Sequence, residues 1–465
     1  LLFFALLFGM ALIHAGGFLA APDAPLALSS ILLLYAYKQY LSNTCWKHAV
    51  WLGLASALVM YSKYQGAMLI GMLIISRPKQ LLQKEFWFAV FIFLLAFAPG
   101  LYAMFQLEFS TFQYHLSEKN PEAWKWHWST DFLLGQFLAA GPFIGFLVIP
   151  LLFLHTPSEA FLRSSRTAAI GIYVFLFVLT FKVNVLGNWA SPALFPLILV
   201  SYDAIRHRSK LRKSALQLSA AGLLLIMCLR VYAITDLPLP KTLSIHFRSW
   251  ENWAGQIKAL AGDKPVVFFN SFQYPSRYAF HNKTHDVFAL SNFEYHPTQY
   301  DYTDIEERLQ GKEVLVVSRY NFGASDSIID PVHGVYYCYN VSSFCSYQKA
   351  VIEIPHDKIV LGKSEKKEIS ITINMDAYDR QDHSACTDYH FYVGCHVRQG
   401  SKYIYQLVLK DKPIEYVKPG AITLPVEMVA PDVPGKYEIL FSLATDWQIQ
   451  FFGTNGKWIE LLVTD

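Results

Sequence analysis

Long apolar runs fill the first half of the chain, and short alternating ones fill the second. Segments of spanning or near-spanning length occupy 1–19, 25–42, 47–62, 65–76, 86–107, 131–155, 167–182, 189–205 and 214–234. A helix needs about 20 apolar residues to cross a bilayer, so the pattern predicts a polytopic α-helical membrane domain of about nine helices over 1–234. Several runs are short, 65–76 most of all, and such helices are tolerated where they line a cavity rather than face lipid. After 234 the pattern changes. "LPLPK" at 237–241 reads as a rigid junction. "SWENWAGQIKALAG" predicts an amphipathic helix and "KPVVFFN" a buried strand. "HDVFAL" and "EVLVVS" are further strands, and "DYTDIEERLQG" is a helix ending at Gly311. That alternation predicts a small α/β domain within 235–349. From about 350 the period becomes two, in "KAVIEI", "EISITINM", "HFYVGCHV", "YIYQLVLK", "AITLPVEMV", "GKYEILFSLA" and "KWIELLVT". Turn residues separate these runs, which predicts an immunoglobulin-like β-sandwich over 350–465.

Charge sharpens the division. Residues 1–234 hold 17 basic and 8 acidic side chains, a net of +9, so with +3 for the whole chain the remainder carries −6. A basic apolar half joined to an acidic soluble half describes a membrane protein with an attached globular region. Threading nine helices places 38–47, 77–85, 156–167 and 206–213 on one side, and these loops contain 12 Lys or Arg residues. The positive-inside rule makes that side cytoplasmic and the C-terminal domains exterior. Residue 1 is Leu inside an apolar run, with neither a charged n-region nor a cleavage site. That is not a secretory signal, and it predicts a preceding segment.

Four cysteines, Cys338, Cys345, Cys386 and Cys395, fall in the exterior half, where disulfides persist. The simplest of three connectivities joins the local pairs 338–345 and 386–395. A zinc site is the rival reading, against which stand the lack of CxxC and of a tight His/Cys cluster.

Unusual polar chemistry gathers in the exterior loops. "APDAPL" puts Asp23 between two prolines, where it can cap the helix that follows or contact a polar substrate. In "YSKYQG", Lys63 lies between Tyr61 and Tyr64, and is either a snorkelling lysine or a cation for a phosphate oxygen. Gly66 permits close approach of backbone or ligand. His115, in the longest loop, suits a proton shuttle, a metal ligand or a simple polar loop position. "KVNVLGNWASP" crowds Lys182, Asn184, Asn188 and Trp189 into one short turn.

In this order, "APDAPLALSS", "YSKYQGAMLI", "FSTFQYHLSEKN" and "VNVLGNWASPALFPLILV" resemble bacterial members of the glycosyltransferase C superfamily. The likeness is to protein O-mannosyltransferase-like and aminoarabinose-transferase-like membrane enzymes, and it extends over roughly 1–320, including "VVFFNSFQYPSRYAFHN". The sandwich lies outside it. The resemblance implies a bacterial inner-membrane enzyme with a periplasmic site. Such an enzyme takes a sugar from a polyprenyl-phosphate donor and gives it to a lipid, glycan or protein acceptor, with inversion. It implies substrate-binding positions at Asp23, Lys63, Tyr64, Gly66, His115, Asn188 and Trp189, with Lys63 on the donor phosphate. Lys182 joins them as a second cation for that phosphate on its chemistry alone. The family's catalytic acidic residue, its general base, lies before the equivalent of residue 1, so no general base is named here and the chain by itself is expected to be inactive.

No cofactor is required by these residues, although a divalent metal requirement stays open. No nucleic-acid partner is expected. A flippase of lipid-linked glycans would share a greasy groove, but transporters place ionisable groups near the midplane and repeat internally. A non-enzymatic anchor would not need Lys63, His115 and Asn188 on one face. In a eukaryotic secretory setting, "NKT" at 282–284 and "NVS" at 340–342 would be glycosylation acceptors.

Overall fold

The computed structural model describes residues 1–18, 21–106, 124–235, 249–295, 297–321, 323–324, 326–378, 390–400, 402–408, 414–415, 420–448 and 452–465. The chain forms two compact units, Leu1–Leu237 and Pro238–Asp465.

The first unit is helical. Its helices are α1 (Leu2–Phe8), α2 (Ala11–Phe18), α3 (Asp23–Ser42), α4 (Trp46–Ser62), α5 (Gly66–Ser76) and α6 (Lys84–Gln106). They are followed by α7 (Trp126–Ala139), α8 (Gly145–Leu154), α9 (Ala160–Leu179), α10 (Ser191–Arg206) and α11 (Ser209–Ile234). Among the described residues three helices are long and apolar enough to cross a membrane, Lys84–Gln106, Ala160–Leu179 and Ser209–Tyr232. Only 11% of the apolar window of α6 is buried, and Trp87, Phe91, Leu95 and Phe105 lie exposed along it. So much apolar surface on one helix is consistent with association with a membrane. Two expected spans are broken. The run 1–19 divides between α1 and α2 at Gly9–Met10. The run 131–155 divides between α7 and α8 where Gly141 adopts φ +121°, a conformation only glycine takes without strain. The buried core runs through Tyr37 and Tyr40 of α3, Ile172 and Leu176 of α9, and Leu197 and Val200 of α10.

The second unit begins with an α/β part. Strands β1 (Val266–Phe269), β2 (Val287–Leu290) and β3 (Val314–Ser318) are parallel, in the order β2-β1-β3. The sheet continues through antiparallel β5 (Gly334–Val341) to β4 (Asp326–Asp330), a hairpin not anticipated from the sequence. Helices α12 (Trp250–Ala261) and α13 (Gln273–Asn282) serve one face. Val266 and Phe268 of β1 pack there with Trp253, Ile257 and Tyr278. The alternate residue Val267 faces Tyr300, Leu309 and Phe344 on the other side. Strand alternation thus explains why "VVFF" is apolar throughout: both faces are covered. The helix expected over "DYTDIEERLQG" is two pieces, a 3-10 turn at Gln299–Tyr302 and α14 (Ile305–Leu309). The turn closes through a capping box in which Asp301 accepts from the Thr298 amide at 2.6 Å.

Residues from 351 onward form two facing sheets. One contains β12 (Ala421–Val429), β8 (Lys366–Asn374) and β6 (Val351–Glu353). The other runs β10 (Lys402–Val408), β9 (His390–Gln399), β13 (Gly435–Thr445), β14 (Ile459–Thr464) and β7 (Lys358–Gly362), with β11 (Ile414–Glu415) also on β9. Ile371, Ile373, Val397, Ile439, Phe441 and Leu461 fill the space between them. Pro425 lies in β12, at an edge of its sheet, where a residue without an amide hydrogen is tolerated. The parallel pairing of β14 with β7 was not foreseen, because "KIVLG" is too short to announce itself.

The cysteine pairing differs from expectation. Cys345 is disulfide-bonded, whereas Cys338 and Cys395 carry thiols, so neither local pair, 338–345 nor 386–395, forms. Cys338 lies within β5 opposite Val317 and Asp326, and Cys395 within β9 opposite Leu407 and Phe441. Both side chains are locked into sheet cores. The partner of Cys345 and residue Cys386 lie outside the described residues. Burial pushes the Cys338 thiol up to about 11 and Cys395 to about 12, which suppresses the reactive thiolate. Alkylation at pH 7 followed by mass spectrometry is expected to leave both unlabelled until the chain is denatured, and to label Cys345 only after reduction. Rapid native labelling of Cys338 or Cys395 would contradict the burial described here.

One carboxylate joins the α/β part to the sandwich. Glu306, fully buried on α14, accepts from Ser346 Oγ at 2.6 Å and the Gln348 amide at 2.8 Å through Oε1. Its Oε2 accepts from Tyr378 Oη at 3.0 Å, and the neighbouring Glu307 pairs with Lys349. Desolvation pushes the Glu306 carboxyl up to about 7 against the pull of these hydrogen bonds, with Glu307 adding to the rise. Unfolded, the group titrates near its ordinary value, so between there and about pH 7 only the folded chain holds the proton. Its contribution to stability is therefore complete at low pH and declines as pH rises through that window. The unfolding midpoint of this unit is expected to fall from pH 5 to pH 8, by at most about 3 kcal/mol in stability, and Glu306→Gln should flatten that slope. An identical slope in the variant would remove Glu306 as its source.

Candidate functional site

The prolines on either side of Asp23 place a helix start there. Pro22 precedes the helix, Asp23 is its first residue and Pro25 lies in its first turn, where a missing amide hydrogen is harmless. The expected N-cap bond does not form: no side-chain capping hydrogen bond is made at this terminus. Instead both carboxylate oxygens of Asp23 accept from Lys63 Nζ, each at 2.9 Å. Lys63 sits just past the end of α4 in extended backbone, 40 residues along the chain. The side chains are only 14% and 17% exposed, so water does little to screen the attraction.

Two further donors complete the carboxylate. Asn188 Nδ2 donates to Oδ2 at 3.3 Å, and Ser191 Oγ to Oδ1 at 3.1 Å. Asn188 lies on a 3-10 turn, Gly187–Ala190, and Ser191 opens α10. Three segments distant in sequence thus meet at one anion, the last of them running from the 3-10 turn straight into α10, and the anion also benefits from the positive end of α3. Asp23 has two bonds on each oxygen. It is a fixed anchor, and it is poorly placed to accept a proton from a substrate. Lys63 uses two of its three N–H donors on Asp23.

Beside this group lies a cavity of about 170 Å3. Leu12 and Ile13 of α2, Leu26 and Ala27 of α3, and Leu194 and Phe195 of α10 give it an apolar lining, to which Asp23, Ser191 and Ser30 add polar atoms. The α3 residues in the lining run from 23 to 30, about two helical turns or roughly 10 Å. Ser30 is fully buried and its Oγ has no hydrogen-bond partner among the described residues.

Of the residues anticipated from the sequence, Asp23, Lys63 and Asn188 come together. Tyr64 is half-buried in the turn after Lys63. Gly66 serves packing: a Cβ there would lie 2.1 Å from Val59 Cγ1 on α4, so the close approach is by a neighbouring helix. Trp189 packs against the helical core rather than into the cavity. Lys182 is exposed and not bonded to Asp23 among the described residues. His115 lies outside the described residues. Among the described residues no cluster of three or more His, Cys, Asp or Glu side chains could hold a metal ion. Ser191 and Ser30 were missed. A serine before proline reads as a helix start, and a serine within an apolar helix carries no signal of facing a cavity.

The sequence matches no protein-family model and no curated protein.

Removing Lys63 strands a poorly solvated carboxylate. Lys63→Ala is expected to destabilise the helical unit by about 3–5 kcal/mol. Adding Asp23→Asn should recover at least about 1 kcal/mol of that loss, since the two residues act as one unit. Denaturant titration of the purified protein in detergent checks this, and strictly additive effects would show that the pair is not coupled.

Proposed function

We propose that this chain belongs to a membrane enzyme that transfers a sugar from a polyprenyl-phosphate donor to an acceptor on the periplasmic face of a bacterial inner membrane, through about nine membrane helices. The observation that carries the reading is the partly buried Asp23–Lys63 pair, completed by Asn188 and Ser191, beside an apolar cavity. Departure of a polyprenyl phosphate needs positive charge at its oxygens, preorganised away from bulk water. Asp23 holds Lys63 in place, and the third ammonium donor of Lys63 is the one offered to phosphate. The apolar lining suits a prenyl chain, and Asn188 and Ser191 hold the anchor rigid. The general base belongs to a residue not identified in this chain. The C-terminal sheets would serve to hold or cover the acceptor.

Donor turnover by the full-length protein in its native membranes tests this, with Asp23→Asn and Lys63→Ala alongside the parent. Consumption of a polyprenyl-phosphate sugar is expected, falling about 100-fold or more in Lys63→Ala if the ammonium stabilises the leaving phosphate. Turnover undiminished in a folded Lys63→Ala protein would remove the phosphate assignment. No consumption of any such donor would remove the enzyme reading and favour movement of a lipid-linked glycan instead.

A further inference from the structure

Arg277 is a half-buried cation with no anion paired to it among the described residues. It lies on α13, the helix joining parallel strands β1 and β2. Its guanidinium carbon sits 3.6 Å from the centre of the Trp250 ring. The His333 imidazole stacks on the same ring at 3.6 Å and 26°, and two groups so close to one ring centre must take opposite faces. Trp250 is itself only 8% exposed and braced edge-on by Trp253 at 5.3 Å. The stack therefore fixes the plane of the guanidinium.

What the stack does not supply is an acceptor. A guanidinium has five N–H donors, and among the described residues Arg277 makes neither a hydrogen bond nor an ion pair. Burial holds it below its ordinary value, and the neighbours acting against that are the Tyr274 and Tyr336 hydroxyls, which are neutral near pH 7. One helical turn to either side, Gln273 and His281 lie on the same face. The Gln273 side-chain oxygen is engaged by Ser271 at 3.2 Å, which leaves its amide hydrogens to point elsewhere. Phe280, next along this face, is 77% exposed.

We propose that Arg277, held flat on Trp250 and flanked by Gln273 and His281, anchors a binding site for the phosphate group of a ligand. An aromatic-stacked guanidinium is preorganised for two-pronged hydrogen bonding to an oxyanion. Three donor-bearing side chains on one helix face match a tetrahedral phosphate better than a two-oxygen carboxylate. The site stands on this geometry alone and is independent of the sugar-transfer reading.

The test is calorimetric titration of the purified full chain in detergent with inorganic phosphate, with dihexanoyl phosphatidic acid and with acetate. Both phosphate compounds are expected to bind, acetate about tenfold more weakly. Arg277→Gln should weaken phosphate binding about tenfold or more, and Arg277→Lys, which keeps charge but loses the planar fork, should lose most of the same affinity. His281→Ala leaves Trp250 untouched and should cost about threefold or more, with near-ultraviolet circular dichroism reporting the tryptophan packing in each variant. A tenfold preference for the lipid would assign the phosphate to a headgroup, and equal affinity would assign it to a soluble compound. Either result supports the site. Absence of phosphate binding, affinity unchanged in Arg277→Gln and His281→Ala, or acetate binding as tightly as phosphate would overturn it.

Discussion

A carboxylate cannot remain among apolar helices without compensation, and in this protein Asp23 has it on every side. The ammonium of Lys63 supplies charge, the Asn188 amide and the Ser191 hydroxyl supply hydrogen bonds, and the start of α3 supplies an aligned dipole. The partners from outside α3 arrive on two other segments, the end of α4 and the continuous stretch from the 3-10 turn into α10. The requirement to satisfy one anion therefore fixes how α3, the end of α4, the 3-10 turn after α9 and the start of α10 meet. The apolar cavity beside Asp23 is bounded by α3 and α10, two of those segments, together with α2. The same constraint that organises the helices thus places charge at the edge of a space suited to an apolar chain.

Buried pairs of this kind are seldom a cheap source of stability, because desolvating two charges offsets most of their attraction. A leucine pair would fill the site at less cost. What the ions provide is a fixed meeting of the segments that carry them, with the Lys63 ammonium held against both Asp23 oxygens. Glu306 makes a comparable joint in the second unit, drawing Ser346, Gln348 and Tyr378 onto one carboxylate. Among the described residues it has no cation bonded to it, and Lys349 is taken by Glu307. Burial raises its proton affinity, with Glu307 adding to the rise.

Much of the fold was legible because local pattern and tertiary role agreed. Strict alternation in "EISITINM" and "GKYEILFSLA" marked β8 and β13, whose alternate residues do fill the space between two sheets. The apolar run of β1 marked a strand covered on both faces. Legibility failed where length or context intervened. The hairpin β4–β5 and the short β7 carry weak patterns and exist because a neighbouring strand offers its edge. The cysteine pairs failed because proximity in sequence says nothing of whether two side chains project from the same face of one sheet.

The sequence by itself determined the division into an apolar basic half and an acidic sheet-rich half, and singled out Asp23, Lys63 and Asn188 as polar residues out of place in their surroundings. Hydrophobic periodicity and charge are local properties, and they can be read residue by residue. Only the tertiary structure decided that these three meet, that Ser191 joins them, and that Gly66 accommodates Val59 rather than a ligand. It likewise decided that Arg277 rests on Trp250 with its donors unclaimed among the described residues. Apart from the Gly66–Val59 approach, those facts depend on contacts between segments 27 to 168 residues apart, and the direction of a side chain across such a distance is fixed by packing, which no local pattern encodes.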